Sequence, residues 1–271
     1  MSIALPRLNT RGGGVESVHV VPLEDEIDRA VRVFEVENGF KANKVYLLAW
    51  VPEGFEGVNR DLVYYHGEVR RRLGRLGLEV VTVLTNIFDM LEVIKRVSAV
   101  VRAEKERGNT VYVNMSAGGP FVSVGTAMAA MVQDARLYYV RCNRYSQTPE
   151  EKMSHGNAVV TTPQVHFIEN FKIQLPDERG VRVLVELFGR GEMRTGDILR
   201  FLYREGVEGF AEEDPDALSR EEKMTVLMRL NKGVTGKLEA AGYIEKERRG
   251  RENLYRVTES GKYVACVSGR V

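Results

Sequence analysis

The sequence predicts an α/β chain in two parts. A Rossmann-like parallel-sheet domain covers residues 17–176, behind a flexible leader at 1–16, and a winged helix-turn-helix covers residues 177–271. Three observations predict this. Short β-branched runs alternate with amphipathic helical runs through the first half, the pattern of a parallel sheet with helices on both faces. Ser219-Arg220-Glu221-Glu222 has capping-box spacing and opens a long helix that a basic hairpin follows. The charge balance also shifts: acids outnumber bases from Glu178 to Glu222, and bases outnumber acids about two to one from Lys223 onward.

Composition sets the outer bounds. A chain of 271 residues makes one large or two ordinary domains, and 44% hydrophobic content supports a real core. The net charge of +1 means that any attraction to nucleic acid must come from local patches. Cys142 and Cys266 form no C-x-x-C pair, and the four histidines have no metal-ligand spacing, so neither a disulfide framework nor a metal is expected. No signal-peptide core and no bilayer-length apolar run is present, so the expectation is a cytoplasmic protein with no membrane partner.

In order, Gly12-Gly13-Gly14 marks the leader. Ser17 to Val21 reads as a strand, and Asp25 to Val36 as a helix with Ile27, Ala30, Val31 and Phe34 on one face. Lys44 to Val51 is a second strand, and Asp61 to Leu76 a helix carrying Leu62, Tyr65, Val69, Leu73 and Leu76 on one side. Leu78 to Leu84 is a third strand, followed by a helix from Ile87 to Arg107. Val111 to Val113 is a fourth strand. It breaks into the small polar turn Asn114 to Gly119, and a helix from Phe121 to Met131 follows. Ala135 to Cys142 is a fifth strand, Asn143 to Thr162 reads as a polar loop, and Gln164 to Leu175 as a strand or hairpin arm.

In such sheets a ligand sits beyond the carboxyl ends of the strands, near the point where strand order reverses. Those ends are Leu23-Glu24, Pro52-Glu53, Thr85-Asn86, Asn114 to Gly119, and Cys142-Asn143. The 114–119 turn joins a strand to a helix N-terminus, a general device for holding an anion; glycines there also serve an ordinary tight turn. The first turn lacks G-x-G-x-x-G, which disfavours a nicotinamide dehydrogenase.

In the second part, Asp177 caps a helix through Phe188, Gly189 to Gly191 breaks it, and Thr195 caps a short helix over Asp197 to Tyr203. An acidic connection, Gly206 to Asp216, leads to a third helix from Ser219 to Ala241 with Leu227, Leu230, Val234, Leu238 and Ala241 inward. Strands Ile244 to Glu247 and Leu254 to Val257 form the hairpin, and a last helix starts near Glu259. The third helix would present Arg229, Asn231, Lys232 and Thr235 to a major groove of double-stranded DNA. Lys246, Arg248, Arg249 and Arg251 on the wing suit phosphate. A lone basic hairpin would be an ordinary solvated turn; helix, turn and wing in sequence favour DNA binding.

The first strand and helix, Val18 to Arg29, the second strand, Lys44 to Leu48, and the turn Asn114-Met-Ser-Ala-Gly-Gly119 resemble those of archaeal CARF-domain regulators. CARF domains are Rossmann-like sensors associated with CRISPR systems. With the winged helix behind it, the chain from residue 17 to 262 resembles the CARF–winged-helix transcription factors of the Csa-three type. The resemblance implies a homodimer formed through the CARF-like domain and a cyclic oligoadenylate ligand, often cyclic tetra-adenylate. It implies a pocket of Leu23, Glu24, Asn86, Asn114, Met115, Ser116, Ala117, Gly118 and Gly119. Pro120 has no N–H to offer a phosphate, and Glu24 would repel one unless it meets an adenine amine. The expected function is a cyclic-oligoadenylate-responsive transcriptional regulator. The alternative is a ring nuclease that slowly cleaves its ligand, with Ser116 positioning a ribose hydroxyl. No His or Lys stands in the motif as a base.

Overall fold

The computed structural model describes residues 14–271 except 38, 51–59, 172, 213 and 251. Most of the expected leader, the Pro52-Glu53 strand end and the wing residue Arg251 therefore lie outside the described residues. The chain divides into two compact units, Met1–Ile173 and Gln174–Val271.

In the first unit, elements alternate as expected: β1 Ser17–Pro22, α1 Asp28–Glu35, β2 Lys44–Ala49, α2 Arg60–Arg75, β3 Glu79–Leu84, α3 Met90–Glu106, β4 Thr110–Asn114, α4 Pro120–Val132 and β5 Arg136–Arg141. The strands lie in the order β3-β2-β1-β4-β5, all parallel, and β8 (Gln164–Ile168) closes the edge antiparallel to β5. The chain runs outward from β1 through β2 to β3, then crosses back to β4 on the other side of β1. The strand order therefore reverses between β1 and β4, where Val20 pairs with Val113 and the loops at their carboxyl ends stand side by side.

Alternation along β1 builds two layers. Val18 and Val20 face the α3–α4 layer with Val93, Val97 and Val122, and Val21 faces the α1–α2 layer with Ile27, Val31 and Leu73. The carbon scaffold is closed by polar groups at the opposite end from the strand-end loops. There the buried Glu104 accepts from Tyr46 Oη, Asn109 Nδ2 (2.6 Å) and Arg107 Nη1 (2.6 Å). Burial pushes its carboxyl up, but these donors outweigh it and leave the group below its usual range. His19 is stacked on Tyr112 at 4.8 Å within an aromatic cluster, and burial lowers its pKa to about 3. It is a neutral core residue.

Residues 143–162 are not a loop. They contain β6 Arg144–Tyr145, α5 Pro149–His155 and β7 Ala158–Val159. Thr148 accepts from the Glu151 N–H (3.2 Å) with Pro149 at the first helical position, so a polar composition concealed a capped helix start. The helix ends at Gly156, whose φ is +84° and where an added Cβ would stand 2.6 Å from Glu26 Cα.

The second unit is a winged helix fold. Its elements are α6 Glu178–Arg190, β9 Glu192–Arg194, α7 Thr195–Arg204, α8 Arg220–Leu230, a π-turn at Asn231–Thr235, α9 Gly236–Ala240, β10 Ile244–Arg249, β11 Glu252–Val257 and α10 Glu259–Val267. The strands order as β10-β11-β9, antiparallel throughout. The three-residue β9 is too short to carry an alternation signal. Ser219 and Glu222 form the expected capping box, at 3.3 and 2.8 Å. Thr195 does not cap α7: the Asp197 carboxylate accepts from the Arg194 N–H, and the Thr195 hydroxyl bonds Asn253 O instead. Ala241, expected inward, is exposed. The core gathers Leu184, Leu187, Ile198, Leu202, Leu230, Val234 and Leu238. Among the described residues no helix is long and apolar enough to cross a membrane.

Candidate ligand crevice and nucleic-acid face

The β1 and β4 loops are tied to each other by the Glu24 N–H, which donates to Ala117 O at 3.0 Å. The Glu24 side chain then turns to the start of α4. Its carboxylate lies against Gly119, where an added Cβ would stand 2.7 Å from Glu24 Oε2. Partial burial raises the Glu24 pKa, the Gly119 N–H offsets part of that, and neighbouring Asp25 adds to the rise. Gly118 is constrained differently: an added Cβ would meet Val122 Cγ1 at 2.6 Å. Glu24, Gly118 and Gly119 are the expected residues that come together partly open at the crevice.

Most of the others support the loops from inside. Leu23 and Ala117 are buried in the α1–α2 layer. Asn114 donates through Nδ2 to Arg29 O (3.0 Å) and accepts at Oδ1 from the Ser116 N–H (2.8 Å) and Ser116 Oγ (2.6 Å). The Ser116 hydroxyl also accepts from the Val140 N–H at 3.0 Å. The polar atoms of both side chains are thus turned inward, and Ser116 is not free to position a ribose hydroxyl. Met115 packs towards the α3–α4 layer, and its carbonyl accepts from Ser123 Oγ at 2.6 Å. Asn86 follows β3, which β2 separates from β1; its Oδ1 accepts from the Phe88 N–H.

Sequence reasoning missed Arg29. Its guanidinium bonds Glu26 Oε1 (3.2 Å), Ser116 O (3.4 Å), Tyr139 Oη (3.1 Å) and Cys142 Sγ (3.4 Å). One buried cation therefore fastens the β1 loop, the β4 turn and the end of β5. Its only trace in the sequence is the i,i+3 spacing from Glu26. The 143–160 segment holds the same loop from outside. Lys152 pairs with Asp25 (3.1 Å), His155 with Asp28 (3.0 Å), and the Ala158 N–H donates to Glu26 Oε2 (3.2 Å). Burial raises the Glu26 pKa to about 7, against the lowering effect of Arg29. Among the described residues no cluster of His, Cys, Asp and Glu could hold a metal ion.

On the winged helix, the expected contacts divide. Asn231 and Lys232 are exposed, and Arg248 projects from the wing without an ion pair among the described residues. Arg249 pairs with Glu247 at 3.2 Å, and Lys246 with Glu239 at 2.7 Å. Arg229 leans back to donate to Gly209 O. Thr235 is 1% exposed and cannot meet a groove. The π-turn adds a residue to the helical turn, marked by the Gly236 N–H bonding Asn231 O, and this rotates Thr235 inward relative to a regular helix.

Residues 17–145 match the family model described as "HFX_2341_N:-like, N-terminal", and residues 179–269 match that of the DUF6293 C-terminal winged helix domain. No curated protein matches the chain. The solved structures similar to it include the following three. Can2 from Sulfobacillus thermosulfidooxidans, in complex with cyclic tetra-adenylate, is 10% identical with a TM-score of 0.38, covering 93% of this chain and 62% of Can2. Protein VC1899 from Vibrio cholerae is 12% identical with a TM-score of 0.40, covering 92% and 64%. Csm6 from Enterococcus italicus, bound to cyclic hexa-2'-fluoro-hexa-dAMP, is 12% identical with a TM-score of 0.34, covering 81% and 56%. The chain thus spans less than two thirds of the length of each. In sequence order it carries a domain matching the HFX_2341_N-like family model and a DUF6293-type winged helix domain.

Proposed function

We propose that the chain is a transcriptional regulator that binds double-stranded DNA through its winged helix and answers to a cyclic oligoadenylate held at the β1–β4 crevice. The observation that carries this reading is the joining, in one chain, of a winged helix domain to an α/β domain whose strand order reverses between β1 and β4. The ligand class rests on the likeness of the 114–119 turn to the CARF motif, and cyclic tetra-adenylate is the ligand proposed. Glu24 would accept from an adenine amine, and Gly118 and Gly119 would let the ring approach the backbone.

The regulator acts as a homodimer in this proposal. Phe121 and Val124 stand more than half exposed one turn apart on α4, and Phe88 is exposed in the turn before α3. A second copy covering these side chains would also bring two crevices together. Ring cleavage is not part of the proposal, because the Ser116 hydroxyl is already engaged. Mass spectrometry of nucleotides released from purified protein tests the ligand: a cyclic oligoadenylate is expected, and a different tightly held nucleotide would overturn it.

A further inference from the structure

The outward face of α8 differs from the face expected for it. Arg220, Met224, Met228 and Asn231–Lys232 recur every three to four residues and form one stripe. Arg229 lies off this stripe, beside Gly209, with Thr225 and Val226 lining the same cleft against the acidic connection. Leu230 is buried. The centre of the open stripe is therefore apolar. Met224 is 57% exposed and Met228 53%, while Met193 in the same unit is 2% exposed.

Two long apolar side chains at the centre of a helix face, with Arg220 and Lys232 at its ends, fit a surface that is apolar in the middle and anionic at the edges. Neither cation has an ion pair among the described residues. The floor of a DNA major groove is such a surface wherever a thymine methyl projects between two phosphate rails. Methionine suits the contact: it is unbranched and polarisable, and it fills irregular gaps. Asn231 continues the stripe with the amide that reads adenine, the partner of thymine.

We infer that Met224 and Met228 read thymine methyl groups in the major groove, so that the preferred half-site carries A·T pairs under α8. This rests on the DNA-binding reading above and adds its base specificity. The experiment selects a preferred duplex from a random pool with the full-length protein, with and without cyclic tetra-adenylate. Each thymine in the selected duplex is then replaced by deoxyuridine, which keeps the base pair and removes only the methyl. One or two positions should each lose about fourfold in affinity, the worth of one buried methyl. In Met224→Ala or Met228→Ala, one of those positions should lose its sensitivity while circular dichroism shows an unchanged fold. Deoxyuridine without effect at every position overturns the inference, as does an effect of equal size in wild type and both variants. If no duplex is selected under either condition, the DNA-binding reading itself fails.

Discussion

The carboxylate of Glu24 lies against Gly119 at the start of α4, so close that a Cβ at position 119 would stand 2.7 Å from Glu24 Oε2. The partial positive charge of a helix N-terminus, expected to hold a phosphate, is thus already answered by the protein's own acid. Pro120 contributes no N–H beside it. A ligand entering here meets a hydrogen-bond acceptor, which suits an amine. Glu24→Gln should weaken cyclic tetra-adenylate binding about tenfold or more, the loss of a hydrogen bond to a charged group, as read by calorimetry. Tighter binding would place a phosphate there instead. Because the Glu24 pKa is raised, wild-type affinity should fall as pH drops through that raised value, and the Gln variant should lose this dependence.

Gly119→Ala is the gentler probe of the same pair. The clash falls on the end of a flexible side chain, so the fold should survive while the carboxylate is pushed off the helix end. Calorimetry should show altered affinity with an unchanged urea midpoint. A substitution at Gly118 would confound binding with packing, because its Cβ would strike Val122.

Glu26 makes the first unit sensitive to pH. Its pKa is raised from 4.5 to about 7 by burial. A raised folded-state pKa contributes stability that is fully present below the unfolded value and is lost as pH rises through the folded one. Urea unfolding should therefore show this contribution decline between pH 4.5 and about 7, by at most about 3 kcal/mol. Glu26→Gln should flatten the slope; an unchanged slope would assign it to another group.

Asn114 holds the β4 turn through three hydrogen bonds, all buried. Asn114→Ala leaves the Ser116 N–H without its acceptor and removes the tie to the Arg29 carbonyl. The cost should be about 2–3 kcal/mol in urea unfolding, and a loss under 0.5 kcal/mol would show the bonds to be replaceable.

The alternation of strands and helices was legible because each element is long enough to show its period, and the winged helix because Ser219, Glu222 and the basic hairpin sit in order. The turn at 114–119 was legible as a place. The directions of its side chains were not: Asn, Ser and Ala suit a ligand-facing turn and an internally bonded one equally, and here Asn114, Ser116 and Ala117 point inward. Arg29 was hidden because a buried guanidinium on an amphipathic helix reads as a surface charge. Thr235 was misplaced because a π-turn leaves no mark in hydrophobic spacing.

The central claim, a winged helix whose DNA binding responds to a cyclic oligoadenylate, is tested most directly by a salt titration of duplex binding with and without cyclic tetra-adenylate. Promoter and random duplexes are compared for wild type and Arg248→Ala. Wild type should prefer the promoter duplex, and the ligand should change its affinity. Arg248, which has no ion pair among the described residues, should account for about one unit of salt slope on both duplexes. Identical affinity with and without ligand, or no binding to any duplex, would contradict the account.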